Sequence, residues 1–220
     1  MKKLKKYAMG VIAAIITFVL NSPVTIAIMR IPLTPFGLKR KMLEGLIQKL
    51  PLTLEGKVTT EHWRAGELIH TQVGTNTFTT EGMAFMLNTM FHDIAKAAAH
   101  IWYVGIFKNN VTPALADTAT KLGSGNAYGE CQDSDYDDPL TNRPAYTSED
   151  TTTAVISNVN SKAHFVMNAS ITVYGAFLTN TQAKTDSSGV LMCAKRFGTP
   201  RAVIADDEIY VTYQITTTTS

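Results

Sequence analysis

"RAVIADDEIYVTYQITTTTS" (201–220) closes the chain, and its reading decides the fold. Ile209, Val211, Tyr213 and Ile215 alternate with polar residues, the period-two pattern of a strand with one buried face. Termini fray unless something ties them down, so this strand is expected to pair inside a sheet, in its own subunit or in a neighbour. Its four apolar side chains are predicted to face a core, with "ITVYGAFL" (171–178) as the neighbouring strand.

Four more strand candidates precede it, at 154–159, 163–167, 171–178 and 190–194, separated by turn residues. Further upstream, "KVTTEHWRAGELIHTQVGTNTFT" (57–79) holds two alternating runs joined at Arg64-Ala65-Gly66-Glu67, where Gly66 can supply the positive backbone angle of a tight hairpin. "TTEGMAFMLNTMFHDIAKAAAH" (79–100) switches to helical spacing, with Thr79 or Thr80 as N-cap and Met83, Leu87, Met90, Phe91 and Ile94 on one apolar stripe. The run "IWYVGIF" (101–107) predicts a central strand buried on both faces, with Trp102 in the core. Short strands at regular spacing predict a mainly β protein, an antiparallel β-sandwich of jelly-roll or immunoglobulin-like type carrying one packed α-helix.

Residues 111–150 interrupt that pattern with a stretch rich in Gly, Asp, Asn, Pro and Thr, and one short strand is expected near 143–147. Long irregular segments in compact domains tend to be functional or mobile, so this loop is the expected exposed working surface. Tyr128, Tyr136 and Tyr146 are its candidate binding residues, as a stacking platform. The acidic cluster Asp133, Asp135, Asp137 and Asp138 is its candidate hard-metal site, because calcium takes six to eight oxygen ligands. It lacks the glycine and distal glutamate of an EF-hand loop, and a solvated acidic loop is the plainer reading.

The net charge of +2 conceals an asymmetry: residues 1–57 hold ten Lys/Arg against Glu44 and Glu55, and the remainder holds ten against sixteen acids. "MKKLKKYAMGVIAAIITFVLNSP" (1–23) combines lysines with an apolar run, as a secretory signal does. Three readings stay open for residues 1–28: a cleaved or anchoring signal that touches membrane through residues 7–29, a buried or interfacial arm, or an unused upstream start with Met29 as the first residue. Residues 29–56 are expected to form a basic amphipathic helical arm with Leu43, Leu46, Ile47 and Leu50 on one stripe, and the β-domain to span 57–220.

Catalytic motifs do not emerge. His62, His70, His92, His100 and His164 show no metal-ligand spacing, and no sequence neighbour offers an obvious carboxylate to His62 and His70. No phosphate loop, dinucleotide fingerprint or nucleophile elbow is present, and "GSGNAYG" (123–129) reads as a flexible loop. Cys131, in a polar loop, and Cys193, in an apolar strand, are too few for a disulfide framework and are expected to be free. The sequence therefore predicts no catalytic residue, no cofactor and no specific nucleic-acid partner.

The order of pieces resembles a family of tailed-bacteriophage virion proteins. The resemblance rests on "EHWRAGELIHTQ", "TTEGMAFMLNTMF", "WYVGIF", "TNRPAYT", "ITVYGAFLTN", "GVLMCAKRF" and the closing strand, and it covers about residues 57–220. It implies a non-enzymatic structural protein of decoration, cement or head/tail accessory type. Its partners would be other virion proteins and further copies of itself, and its location the particle, assembled in the host cytoplasm. The hydrophobic leader departs from that pattern and leaves a membrane-associated or exported protein as the alternative location. A receptor- or glycan-binding module using loop 111–150 is the alternative function.

Overall fold

Two alternating runs fold back on each other as β1 (Thr53–Arg64) and β2 (Glu67–Thr75). Ala65 (φ 50°) and Gly66 (φ 78°) both take positive φ in the two-residue turn, the requirement of a hairpin whose twist matches its strands. The computed structural model describes residues 53–92, 102–149, 151–184 and 186–218, all within the unit Leu50–Ser220. The expectations for residues 1–52 lie outside the described residues. Residues 53–56, expected at the end of a helical arm, are instead the start of β1.

The other elements are β3 (Thr77–Phe78), α1 (Thr80–Phe91), β4 (Tyr103–Phe107), a 3-10 turn (Ala119–Lys121), β5 (Tyr136–Asp138), β6 (Val155–Ser157), β7 (Ala163–Met167), β8 (Ile171–Thr179), β9 (Leu191–Val203) and β10 (Glu208–Thr218). Among the described residues there are two antiparallel sheets in a sandwich-like arrangement with a single α-helix, as the alternation predicts. The first sheet runs β2-β1-β10-β7-β5, with β6 also on β10; the second runs β3-β9-β8-β4.

The closing strand is the axis of the first sheet. Ile209, Val211 and Tyr213 are fully buried, and Ile215 packs on the same core. The expected pairing with residues 171–178 is corrected: β10 lies between β1 and the β6/β7 pair, and β8 belongs to the opposite sheet. Strand periodicity fixes which face is buried but not which neighbour lies alongside.

The helix begins as predicted, with Thr79 Oγ accepting from the Gly82 N–H at 3.0 Å. Its buried stripe is displaced from the predicted one. Gly82 is buried, and an added Cβ there would meet the Met192 backbone at 2.5 Å, so helix and β9 approach through that glycine. Met86 packs on the core and Phe85 meets Trp102 edge-on, with ring centroids 5.6 Å apart. Leu87, Met90 and Phe91 are instead exposed, Phe91 at 77%. Ile94 is outside the described residues. Trp102 is half-buried and packs at the margin of the core, not inside it.

β4 is buried on both faces, yet it lies at the edge of its sheet. Its free side is covered by the long loop: Val104 N–H donates to Pro144 O at 2.9 Å, and Cys131 N–H to Ile106 O at 3.0 Å. The predicted strand at 143–147 reduces to single bridges at Asn142 and Ala145.

Loop 111–150 also accounts for a second hydrophobic cluster. One core fills the space between the sheets, and a smaller one gathers Ala119, Leu122 and Tyr128 of the loop with Phe107, Phe177, Leu191 and Ala194 of the second sheet. Since Phe107 and Phe177 leave the inter-sheet core to join it, the loop roofs the outer face of that sheet. No helix or strand among the described residues packs over the outer face of the first sheet.

Candidate binding face

The predicted tyrosine platform is corrected. Tyr128 and Tyr136 are fully buried and Tyr146 is 6% exposed. Tyr128 sits edge-on to Phe107 at 4.9 Å and donates to Asp117 at 2.8 Å, while Tyr136 sits edge-on to Phe165 at 5.0 Å. All three rings pack inward against the sheets. The loop therefore turns its large rings inward, while residues 124–127, Asp133, Ser134, Leu140 and Thr141 among others remain exposed. Its glycine-rich part is tied down as well: Gly123 N–H donates to Glu130 and Asn109 N–H to Tyr128 O.

Two of the four candidate metal ligands are committed to lysines. Asp135 takes both carboxylate oxygens to Lys108 Nζ at 2.9 and 2.7 Å, and Asp133 meets Lys184 Nζ at 2.8 Å. Asp137 and Asp138 are exposed on β5. No three His, Cys, Asp or Glu side chains come together as an ion site among the described residues. Lys184 itself is buried, donates to Tyr136 O at 2.8 Å and lies 3.5 Å above the Tyr136 ring. Next to it Arg143 grips Glu130 with two bonds of 2.6 and 2.8 Å, both side chains fully buried. These pairs anchor the loop.

Cys131 and Cys193 are both free and buried, and burial pushes both thiols far above their usual range. Such thiols are poor nucleophiles. Cys131 departs from its expected polar surroundings because the loop carrying it is folded into the core.

His62 does have a carboxylate partner, 145 residues away in the chain. Its Nε2–H donates to Asp207 Oδ2 at 2.9 Å, and its Nδ1 accepts from Arg201 Nε at 3.2 Å. Asp207 is further held by Arg64 at 2.8 and 2.7 Å and by the Ile204 N–H at 2.9 Å. Burial works to raise the Asp207 pKa, and these donors outweigh it, leaving the carboxyl well below the ordinary range. Burial is also the main reason that His62 sits below its usual value. An imidazole with both nitrogens occupied and no exposed surface has no way to exchange a proton with a substrate. This cluster joins β1, β9 and the turn before β10.

The outer face of the first sheet is different in kind. On antiparallel neighbours, Glu61 of β1 stands opposite Tyr210 of β10, and Tyr210 opposite His164 of β7; one row further, Trp63 stands opposite Glu208. Alternation puts all of these on the side away from the core residues His62, Ile209, Val211 and Phe165. Tyr210 and His164 stack at 4.4 Å with planes 12° apart, and Trp63 meets Tyr210 edge-on at 6.3 Å. Each ring is fixed by a carboxylate: Trp63 Nε1 donates to Glu61 at 3.2 Å, Tyr210 OH to Glu208 at 2.6 Å, and His164 Nε2 lies 2.8 Å from the same Glu208 oxygen. Lys162 closes the row on Glu61 at 2.6 Å. The bond from Tyr210, then that with His164, holds Glu208 below its usual range, and the same bond pushes the Tyr210 hydroxyl up to about 12. The phenol therefore remains a hydrogen-bond donor throughout the neutral range.

Sequence reasoning missed this constellation. The available signal was the polar phase of the strands, which carries Trp63, Tyr210 and His164 where solvated threonines and lysines are the ordinary choice. A depression of about 260 Å³ lies among Glu55, Lys57, Val73, Thr75, Gln214 and Thr216. No protein-family model, curated protein or solved structure matches the chain.

Proposed function

We propose that the protein is a non-enzymatic structural component of a tailed-bacteriophage particle, of decoration, cement or head/tail accessory type, acting through protein–protein surfaces. The observation that carries this reading is where the charged side chains go. Arg143 with Glu130, Lys184 with Asp133, Lys108 with Asp135, and Arg64 with Asp207 are all consumed in fixing loops and strand ends. A domain so arranged has its rigidity and its surfaces to offer.

Exposed apolar side chains support the same reading. Leu87, Met90 and Phe91 at the end of α1, and Leu68, Ile69 and Val73 on the outer strand β2, are all more than 40% exposed. Contiguous exposed apolar groups are characteristic of surfaces that meet other proteins. The motif order of residues 57–220 supplies the phage assignment, and partners would be other virion proteins and further copies of this chain. No helix among the described residues is long and apolar enough to cross a membrane.

Density-gradient purification of particles from producing cells tests the proposal. The protein is expected to band with the particles at a fixed ratio to the major shell protein and to survive a high-salt wash. Recovery only in the soluble or membrane fraction would refute it.

A further inference from the structure

A lysine stands in the inward phase of β9. Cys193 and Phe197, two residues to either side of Lys195, both belong to the core between the sheets, so alternation turns Lys195 to the same side. It is half-buried, and no hydrogen bond or ion pair engages its ammonium among the described residues. Lysine is rarely taken into a protein without a partner for its charge. Gly74 of β2 makes room for it: a Cβ there would lie 2.6 Å from Lys195 Cε and 2.9 Å from Nζ. Glycine weakens a strand, and the close approach of another group is a usual reason for one.

Beside the ammonium is a cavity of about 60 Å³, lined by Val58, Thr60, Gln72, Gly74, Lys195 and Phe197 among others. It adjoins an irregularity in β9, whose pairing with β8 jumps from Val173↔Arg201 to Gly175↔Arg196. The Gln72 amide ties the displaced segment to β2, accepting from the Thr199 N–H at 3.1 Å and donating to Thr199 O at 3.0 Å, and is spent in doing so. Thr60 is 1% exposed, and its hydroxyl has no partner among the described residues. Buried hydroxyls are normally bonded, so an unpartnered one points to a group that meets it. No acidic side chain lines the cavity. On β1, Glu55, Lys57 and Glu61 take the outward phase; along the inner side Asp207 is held by Arg64 and His62, and Arg201 is turned to His62.

We propose that Lys195 and Thr60 hold a single halide ion, chloride in an ordinary ionic environment, between β1, β2 and β9. The ammonium sets the sign of the charge, and the hydroxyl supplies a directed donor. The other lining residues, Val58, Phe197, Gly74 and Gly198 among them, set the kind of ion. A divalent oxyanion would leave several oxygens without donors, whereas a monatomic ion needs few. Space suffices, since one water needs roughly 10–15 Å³. The ion neutralises Lys195 and links β9 to the β1/β2 hairpin, so its binding is expressed as stability of the folded chain. The site belongs to the sandwich itself and is independent of a place in the particle.

Thermal melts of the full chain at fixed ionic strength, with sodium chloride replacing sodium gluconate stepwise, test the proposal. The melting temperature should rise with chloride along the curve for one linked site, bromide should act likewise, and sulfate at matched ionic strength should not. Chloride-35 resonance should be broadened by the protein and narrowed again by bromide. Lys195→Met should abolish both responses. Thr60→Val, which keeps the shape and removes the hydroxyl, should weaken chloride binding by about fivefold or more. Gly74→Ala keeps both polar groups but takes the space of the ammonium, and should weaken it too; if Lys195→Met fails to fold, these two variants decide the matter in its place. No chloride-specific response, as a cavity that takes only water would give, or a response that survives these substitutions, overturns the proposal. Because the melts need no particle, their failure leaves the structural assignment standing, and absence from particles leaves this site standing.

Discussion

Arg201 donates from Nε to Nδ1 of His62 across 3.2 Å, and that one bond fixes the charge of His62. A guanidinium has no lone pair to offer, so Nδ1 must be unprotonated, and the proton on Nε2 points to Asp207. His70, the cross-strand partner of His62, is also lowered, first by burial and then by the charge of Arg201.

A histidine kept neutral in the fold binds its proton more readily when unfolded. Its stabilisation is complete above the unfolded value of 6.5 and declines as pH falls below it toward the folded value. Asp207 acts in the same direction at lower pH: its folded value lies below 3.8, so its contribution is lost on acidification through that region. Urea unfolding at a series of pH values from neutral downward should show falling stability beginning near 6.5. His62→Gln should reduce that slope even if it lowers stability throughout, and an unchanged slope would exclude His62 as its source.

Arg143 and Glu130 make a second buried pair, and here the cost of breaking it is the informative quantity. Burial pushes the Glu130 pKa up, opposed by Arg143. Arg143→Met leaves the carboxylate without its guanidinium and should cost about 3–5 kcal/mol. Adding Glu130→Gln, which removes the stranded charge, should recover part of the loss. Purely additive losses in chemical denaturation would mean that the pair is not coupled.

The acidic loop divides into two classes. Asp137→Asn and Asp138→Asn alter exposed side chains and should shift stability by no more than about 0.5 kcal/mol. Asp135→Asn removes the charge that Lys108 and the Gln132 N–H share, and should cost about 1–3 kcal/mol. Thermal melts with and without calcium check both statements. A large calcium-dependent rise in the parent would instead make the cluster a metal site.

Truncation after Asp207 removes β10 from between β1 and the β6/β7 pair, leaving two exposed strand edges and an open core. Its buried side chains are each worth about 1.5–3 kcal/mol, comparable in sum with the whole 5–15 kcal/mol of a typical domain. The truncated chain should be insoluble, whereas loss of residues 217–220 alone should leave it folded. A soluble, folded product after the larger truncation would overturn this account of β10.

The sequence was informative wherever local periodicity sets the answer. Alternation marked the buried side of β10, Gly66 marked the hairpin, and Thr79 marked the start of α1, because each depends on neighbours a few residues away. Partners distant in the chain were not legible. Nothing near His62 announces Asp207, and nothing near Glu130 announces that Arg143 will be buried against it. The helix stripe failed because the contact with β9 is set by the close approach at Gly82, which turns Phe85 and Met86 inward and Leu87 and Phe91 out. The tyrosines misled for a related reason: a loop of small polar residues can still fold its few large rings against a sheet when its backbone bonds are met there.

Cryo-electron microscopy of gradient-purified particles tests the central claim most directly. The account predicts density for this sandwich, two sheets with one short helix and the 111–150 loop roofing the second sheet, repeated at symmetry-related positions on head or tail. Particles whose density is fully accounted for by other chains, with no peptide of residues 53–218 detected in the same sample, would contradict it.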